Sequence, residues 1–272
     1  MMMTMTMKKA NARKAECYHH QDGASASPLF YVRDLRPHRF LRYSRLVMSE
    51  EQHPDTGLRG MVVPVTPLQQ NCSILWCTKS NKAAVIDPGG DLDNILGAVE
   101  QNGVTLEKIL VTHAHIDHAG GVAELSERFN LPIEGPHPED QFWIDQIEEA
   151  GKKYGINARA FTPNRWLDGH DTVTIGEQTL TVRHCPGHTP GHVIFFHAPS
   201  KLAAVGDVLF QGSIGRSDFP RGNHDTLIES IVTQLWPLGD DVTFIPGHGP
   251  LSTFGSERQS NPYVCDLALG RA

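Results

Sequence analysis

The sequence lacks the features that would tie it to a membrane, an oxidising compartment or a nucleotide. No apolar run approaches the roughly 18 residues that a membrane-spanning helix needs. Its 5 cysteines are an odd number without a Cys-x-x-Cys pair, which disfavours a disulfide framework and indicates a reducing compartment. A Gly-x-Ser-x-Gly nucleophile elbow, a phosphate-binding loop and a dinucleotide-binding glycine fingerprint are also absent. We therefore expect a cytoplasmic protein without a membrane partner.

Charge is unevenly distributed along the chain. The first 47 residues carry nine basic and three acidic side chains, a net of +6, although the whole chain has a net charge of −7. The remainder therefore carries −13, and so acidic a body is a poor general binder of nucleic-acid phosphates. The charge balance still allows a small anionic substrate that is held locally by one or two arginines.

Residues 1–60 differ in composition from the rest of the chain. Met1–Lys9 is nearly a Met/Thr/Lys repeat, and sustained hydrophobic periodicity begins only after this segment. We predict a basic N-terminal extension that is disordered or non-native, with Met48 or Met61 as the alternative start. An Arg-rich, acid-poor composition is also typical of an organellar transit peptide. A single folded domain is predicted for residues 61–272, and no catalytic role is expected before it.

Three histidines and an aspartate lie within six residues: His113, His115, Asp117 and His118. They follow the apolar run 108–112, which predicts a short buried strand, and precede a helical pattern that starts after a Gly-Gly pair. Because alternate side chains of an extended segment share a face, we expect the first three to converge and His118 to serve a second centre. Imidazole suits zinc, iron or nickel, and a carboxylate adds the negative charge that two adjacent cations need.

Three more residues of metal-ligand type follow predicted strands farther along the chain: His188, Asp207 and His248. The loop 184–192 around the first of them is rich in glycine and proline, which fix tight turns where backbone can approach a metal closely. Asp87 ends another predicted strand. It either orients a metal-bound histidine through a hydrogen bond or serves only as a turn residue before Pro-Gly.

Other residues near these motifs are expected to have supporting roles. We expect His184 and His192 to pack or to orient neighbouring groups, and Trp143 to belong to the core. Cys185 lies three residues before His188, but a small loop residue is the favoured interpretation over a cysteine nucleophile.

Taken together, these motifs resemble the metallo-β-lactamase superfamily over about residues 61–260. More narrowly, segments 184–192, 215–220 and 244–250 resemble the short bacterial type II glyoxalases, which are hydroxyacylglutathione hydrolases. The resemblance implies an α/β (α+β) fold: a four-layer αββα sandwich with two facing sheets, helices outside and the site at one edge. It also implies two divalent metal ions per chain. Zinc is the expected metal, and iron or manganese would suit the same ligands.

The resemblance also assigns roles to individual residues. It implies a first metal site of His113, His115 and His188, a second of Asp117, His118 and His248, and a bridging Asp207. Two cations would lower the pKa of a bound water to about 7 and polarise a thioester carbonyl, with Asp117 and Asp207 as the catalytic carboxylates. The implied substrate is an S-(2-hydroxyacyl)glutathione such as lactoylglutathione, a thioester of methylglyoxal detoxification.

Recognition of the glutathione moiety is the least defined part of this prediction. The longer type II glyoxalases grip glutathione with a C-terminal helical region, and this chain ends soon after His248. We therefore expect Arg216 and Arg221 to bind the carboxylates of the substrate, with a higher KM than in the longer enzymes. The alternative is that both arginines belong to a solvated loop.

Several other functions use related sites. A persulfide dioxygenase has the same scaffold with a single iron, and a lactonase or β-lactamase is a hydrolase on the same two-metal site. A non-catalytic metal-binding module is the alternative outside the enzymes. Metal content per chain and parallel substrate assays would separate these alternatives. The expected assembly is a monomer or a small homo-oligomer.

Overall fold

Two facing β-sheets form the centre of the computed structural model, which describes residues 56–271. Most of the predicted N-terminal extension, residues 1–55, lies outside the described residues. The first strand begins at Leu58 and not at the predicted domain start, Met61, because Leu58 already pairs with Cys77 in the sheet. None of the helices in the described range has the length and apolar character that a membrane span requires.

The first sheet has five strands in sequence order: β1 Leu58–Val65, β2 Gln70–Cys77, β3 Lys82–Ile86, β4 Thr105–Leu110 and β5 Ile133–Glu134. Strands β1, β2 and β3 pair antiparallel, whereas β3, β4 and β5 pair parallel. Parallel pairing requires crossover connections. Five helices lie in this half of the chain: α1 Leu92–Gln101, α2 Ile116–Ala119, α3 Val122–Phe129, α4 Gln141–Asp145 and α5 Ile147–Tyr154.

The second sheet has the order β13-β12-β9-β8-β7-β6. In chain order the remaining strands are β6 Thr172–Ile175, β7 Gln178–His184, β8 Val193–His197, β9 Leu202–Gly206, β10 Leu209–Phe210, β11 Ser213–Ile214, β12 Thr243–Pro246 and β13 Ser252–Thr253. Strands β10 and β11 form a separate hairpin, and β12 pairs parallel with β9. The helices of this half are α6 His224–Ser230 and α7 Phe254–Ser260.

Alternation of side chains along the strands divides the core into three apolar layers. Phe195 of β8 packs between the two sheets, whereas its neighbours Ile194 and Phe196 pack on the opposite face with α6 and α7. In the same way, Val62 of β1 faces the second sheet, and Met61 packs in the layer formed with α1, α3 and α5. Helices therefore cover both outer faces, and the predicted αββα sandwich is confirmed.

Two local features of the first half are irregular. The helical segment is divided at Gln146 into α4 and α5, so that Trp143 of α4 faces the candidate site while Ile147 of α5 packs in the core. Asp91 directly precedes α1, but its backbone is left-handed (φ 49°) and its side chain forms no cap. Instead, the Asp91 carboxylate accepts a hydrogen bond of 2.7 Å from the backbone N–H of Thr66.

Candidate metal centre

The candidate ligands meet at one edge of the sandwich because they follow the carboxyl ends of neighbouring strands. Asp207 directly follows β9, and His248 is the second residue after β12. The two strands run parallel, and the Gly247 N–H donates to the Gly206 carbonyl at 2.7 Å. The His113 segment follows β4 and reaches the second sheet, where the Thr112 carbonyl accepts from the first residue of β8 at 2.8 Å. Both sheets therefore contribute to the same site.

Three histidines form the first group of candidate ligands: His113, His115 and His188. One ring nitrogen of each lies within 4.8 Å of the others, and His188 Nε2 lies 2.9 Å from His115 Nδ1. Burial, reinforced by nearby imidazoles, holds the pKa of His113 and of His115 well below the usual range. These rings are therefore neutral at physiological pH, which is the state in which imidazole binds a metal.

The second group consists of Asp117, His118 and His248. His248 Nε2 lies 3.1 Å from Asp117 Oδ2, and His118 Nε2 lies 4.0 Å from the same oxygen. Asp117 and His118 belong to the one-turn helix α2, which begins directly after His115. The expectation that Asp117 shares a face with the first two histidines is therefore wrong, because the chain is no longer extended at this position.

Asp207 lies between the two groups. Its Oδ2 is 3.5 Å from His188 Nε2 and 3.8 Å from His248 Nε2, and its Oδ1 is 3.2 Å from His118 Nε2. Burial alone would raise the pKa of Asp207, but attraction to these three imidazoles outweighs it and holds the pKa below its ordinary value. Asp207 is therefore an ionised carboxylate that faces both groups.

Hydrogen bonds to the outer ring nitrogens fix how the histidines are oriented. His188 Nδ1 donates to the carbonyl of Arg216 at 2.7 Å, and His248 Nδ1 donates to the carbonyl of Leu68 at 3.2 Å. Because a carbonyl only accepts, each ring carries a proton on Nδ1, and Nε2 is the nitrogen that would give its lone pair to a cation at the centre. Sequence reasoning missed both carbonyls, since a backbone acceptor leaves no residue-type signal.

Asp87 orients two more histidines from the end of β3. Its Oδ2 accepts from His118 Nδ1 at 2.8 Å and from the Thr112 hydroxyl at 2.6 Å. Because the Thr112 hydroxyl donates to Asp87, its oxygen is left to accept from His113 Nδ1 at 3.0 Å. Asp87 therefore does more than form the turn before Pro-Gly. It orients His118 of the second group directly and His113 of the first group through Thr112.

The unsatisfied atoms of the centre fit divalent cations. Within residues 56–271, four buried atoms of these side chains have no hydrogen-bond partner, and three of them face the centre: Nε2 of His113, Nε2 of His118 and Oδ1 of Asp207. The fourth is Nε2 of His115, whose Nδ1 is the nitrogen that approaches His188. The 3.2 Å approach of His118 Nε2 to Asp207 Oδ1 does not have hydrogen-bond geometry. Each such atom costs about 1–3 kcal/mol when left unpaired. The first group offers three imidazoles, and the second offers two imidazoles and a carboxylate. Both sets of ligands suit zinc, iron or manganese.

Close approach of the backbone makes glycine necessary beside the centre. A Cβ atom at Gly247 would lie 2.0 Å from Asp207 Oδ1 and 2.6 Å from His118 Cε1. Both distances are far below van der Waals contact. The Gly-His pair that ends β12 therefore allows His248 to enter the site without displacing the ligands around it.

The two predicted substrate-binding arginines lie at the rim, and both guanidinium groups already have partners. Arg216 forms two hydrogen bonds with Asp218, at 3.0 and 2.9 Å, and stacks over Phe219 with 4.6 Å between the guanidinium carbon and the ring centre. Arg221 donates to the carbonyl of Glu139 at 3.4 Å. Binding of substrate carboxylates by these arginines stays a prediction.

Two aromatic rings beside the first group have a role that the sequence did not predict. Trp143 packs partly on the core, but its ring also lies edge-on to His115 with 4.6 Å between ring centres. Phe219 contacts the other side of the group, 4.7 Å from His115 and 5.6 Å from His188. His192, expected to pack or orient, stacks on His113 and accepts from the backbone N–H of Asp207 at 3.0 Å.

Comparison with known proteins identifies the family. A family model described as the metallo-beta-lactamase superfamily matches residues 65–248. This chain therefore belongs to the metallo-beta-lactamase superfamily, and the predicted resemblance is confirmed.

Relatives within the family have more specific descriptions. The chain is 42% identical to the hydroxyacylglutathione hydrolase GloC of Haemophilus influenzae over 205 residues, which is 75% of this chain and 96% of the relative. It is also similar to the solved structure of the BLEG-1 B3 metallo-beta-lactamase, with 33% identity, a TM-score of 0.69 and coverage of 75% of this chain and 99% of that one. The structure of TTHA1623 in a di-iron-bound form gives 34% identity, a TM-score of 0.68 and the same coverages.

Proposed function

We propose that this protein is a binuclear metal-dependent hydrolase that cleaves the thioester of an S-(2-hydroxyacyl)glutathione such as lactoylglutathione. One observation carries the proposal: two groups of ligand-type side chains lie at one edge of the sandwich, and Asp207 lies within 3.8 Å of histidines from both. Similarity to a hydroxyacylglutathione hydrolase over 96% of that relative supports the choice of substrate.

Each side chain of the centre has a distinct task. His113, His115 and His188 would hold one cation, Asp117, His118 and His248 would hold the other, and Asp207, which lies close to histidines of both groups, would contribute its carboxylate to the same centre. When bound, the two cations would supply a water nucleophile that ionises near neutral pH and would polarise the thioester carbonyl. Asp117 and Asp207 supply the carboxylate oxygens that face the centre, and they would be the nearest protein groups to receive the proton that the water loses.

The leaving group requires little from the protein. A thiol of ordinary pKa, about 8.5, leaves readily as a thiolate, so the site does not need a dedicated general acid. Trp143 and Phe219 cover the side of the first group and restrict water there. The acyl group of the thioester would therefore lie against an apolar surface formed by these two rings, from which bulk water is excluded.

Arg221 is better placed than Arg216 to bind the glutathione carboxylates. Arg221 keeps a single hydrogen bond of 3.4 Å and stacks over Phe142, so that most of its donors face outward. Arg216 would have to break two shorter hydrogen bonds with Asp218 before it could bind a carboxylate. We therefore expect Arg221→Ala to raise KM more than Arg216→Ala, with little effect on kcat in either variant.

The test is metal analysis of the purified chain combined with hydrolysis of lactoylglutathione, followed at the thioester absorbance. We expect two divalent ions per chain and turnover that His115→Ala or Asp207→Ala abolishes. His224→Ala is the control, because this histidine is exposed at the start of α6. Protein that holds no metal, or near-normal kcat in either ligand variant after metal loading, would refute the proposal. One iron per chain would favour a persulfide dioxygenase instead.

A second candidate is β-lactam hydrolysis, because the similarity to the BLEG-1 B3 metallo-beta-lactamase covers 99% of that chain at 33% identity. The two activities use the same type of nucleophile on different carbonyls. Parallel assays of lactoylglutathione and nitrocefin with one metal-loaded preparation will rank them. Faster turnover of nitrocefin, as kcat/KM, would make the lactam the better substrate.

A further inference from the structure

Asp140 is a fully buried carboxylate on the turn before α4, and it accepts three hydrogen bonds from neutral groups. Its Oδ1 accepts from the backbone N–H of Gly191 at 2.6 Å. Its Oδ2 accepts from the backbone N–H of Ala114 and from the Thr189 hydroxyl, both at 3.0 Å. Burial raises the pKa of Asp140 to about 6, so at neutral pH the side chain is a carboxylate that can accept all three.

The partners of Asp140 lie beside the ligands of the first group. Ala114 stands between His113 and His115, and Thr189 directly follows His188. The same carboxylate oxygen therefore connects two segments that are more than 70 residues apart and that together supply all three histidines. The backbone also joins these segments, because the Thr112 carbonyl accepts from the Val193 N–H at 2.8 Å, but that bond lies five residues beyond His188.

The turn that carries Asp140 also meets the His188 loop through the backbone. The His137 N–H donates to the Gly191 carbonyl at 3.0 Å, on the same residue whose N–H donates to Asp140. A Cβ at Gly191 would lie 2.6 Å from the Asp140 nitrogen and 2.7 Å from Asp140 Oδ1. Glycine is therefore needed at position 191 for this contact.

A stacked pair of histidines also contacts the same loop. The rings of His137 and His184 lie parallel, with 4.1 Å between centres and 16° between planes, and His184 Nε2 donates to the Pro190 carbonyl at 2.8 Å. With Glu139 they form a third cluster of metal-ligand types. Parallel stacked rings, however, cannot aim their in-plane lone pairs at one ion, so this cluster supports the loop and does not form a metal site.

We propose that Asp140 is the positioning residue of the first group, which holds the His188 loop against the His113–His115 segment at the spacing that one cation requires. No hydrogen bond of the described residues joins Asp140 to Asp117, His118 or His248. Loss of the Asp140 carboxylate should therefore weaken binding of a cation by the first group and leave binding by the second group unchanged. The inference rests on the metal-binding part of the proposed function and is independent of the substrate.

The test measures zinc affinity in two backgrounds that each keep a single group. His248→Ala leaves the first group complete, and His188→Ala leaves the second group complete. Asp140→Asn should weaken zinc binding about 10- to 100-fold in the first background, as loss of a residue that orients metal ligands does. It should leave the affinity unchanged in the second background. Calorimetric titration of the metal-free full-length chain gives both values without reference to activity.

Glu257→Gln is the matched control. Glu257 is also a buried carboxylate that accepts three hydrogen bonds, from Ser252, Gly212 and Asn261, but it lies on α7. The Glu257→Gln substitution should leave the zinc affinity of the first group unchanged. Equal losses in both backgrounds, or the same loss with Glu257→Gln, would show that Asp140 acts only on general stability and would overturn the inference.

Thr189 provides a milder variant that keeps the test decisive if Asp140→Asn does not fold. Thr189→Val removes one of the three hydrogen bonds and keeps the side-chain shape, whereas Thr189→Ser keeps the hydroxyl. We expect weaker zinc binding by the first group in Thr189→Val and restoration in Thr189→Ser. Equal affinity in both Thr189 variants would count against the inference. A parent chain that binds no zinc would overturn the metal-binding proposal itself.

Discussion

At the scale of single residues, the centre depends on which ring nitrogen of each histidine carries the proton. Asp87, Thr112 and two backbone carbonyls each accept from an Nδ1, which leaves the corresponding Nε2 as a lone-pair donor. An imidazole with its proton on the wrong nitrogen would present N–H to the cation. The acceptors around the rings are therefore as necessary as the ligands.

Asp87→Asn should disturb the second group most directly. The carboxylate accepts from His118 Nδ1 and from Thr112 through both its N–H and its hydroxyl, and an amide can supply only one of the two acceptor oxygens. We expect zinc affinity of the second group to fall about 10- to 100-fold. Calorimetric titration with zinc in the His188→Ala background measures this affinity. Asp93→Asn, at an exposed position on α1, is the control and should have no effect.

At the scale of elements, β1 is the first strand of the described residues, and it begins before the predicted domain start. Leu58, Arg59 and Gly60 pair with the last residues of β2, and Leu58 is buried between the two sheets. The predicted start at Met61 would remove these three pairs and one apolar side chain from the core. Burial of a leucine contributes about 1.5–3 kcal/mol to stability.

Two shortened chains test the contribution of β1 directly. A chain that starts at residue 56 should keep the full metal content and activity, because the three apolar layers and all candidate ligands lie after that position. A chain that starts at Met61 should unfold at a temperature several degrees lower, since 1 kcal/mol shifts Tm by roughly 2–4 °C in a domain of this size. Equal Tm values for the two chains, measured by thermal circular dichroism, would contradict this role of β1.

Elements also show how far the sequence could predict the site. Apolar runs that end in Asp87, Asp207 or His248 identified strands that deliver ligand types to one edge, and those strands are present. The one-turn helix α2 was missed because no side chain caps its start. Asp140 was also missed, since its partners lie 26 and 49 residues away for one oxygen and 51 for the other. Such contacts arise only from the assembled fold.

At the scale of the whole molecule, we expect metal binding to be coupled to stability. The two groups bring together side chains from both sheets, and four of their buried atoms have no partner within residues 56–271. A cation that binds only the folded chain stabilises it by about 4 kcal/mol at a free concentration of 1,000 times its Kd. The metal-loaded protein should therefore be more stable than the metal-free protein.

Removal of the metal by a chelator should lower Tm by several degrees, and added zinc should restore it. Differential scanning calorimetry measures both steps. Asp207→Ala is the control, because a chain that lacks the residue shared by both groups should respond much less to the chelator. A Tm that is the same with and without chelator in the parent chain would separate metal binding from stability and contradict the prediction.

The late position of His248, after β12 in the sequence, also sets an order for maturation of the protein. A chain that emerges from the ribosome amino end first has made all three histidines of the first group by residue 188, but it lacks His248 until β12 has been made. The second metal site can therefore be completed only after nearly the whole sandwich has been synthesised. A nascent or prematurely ended chain without β12 has ligands for one ion and not for two.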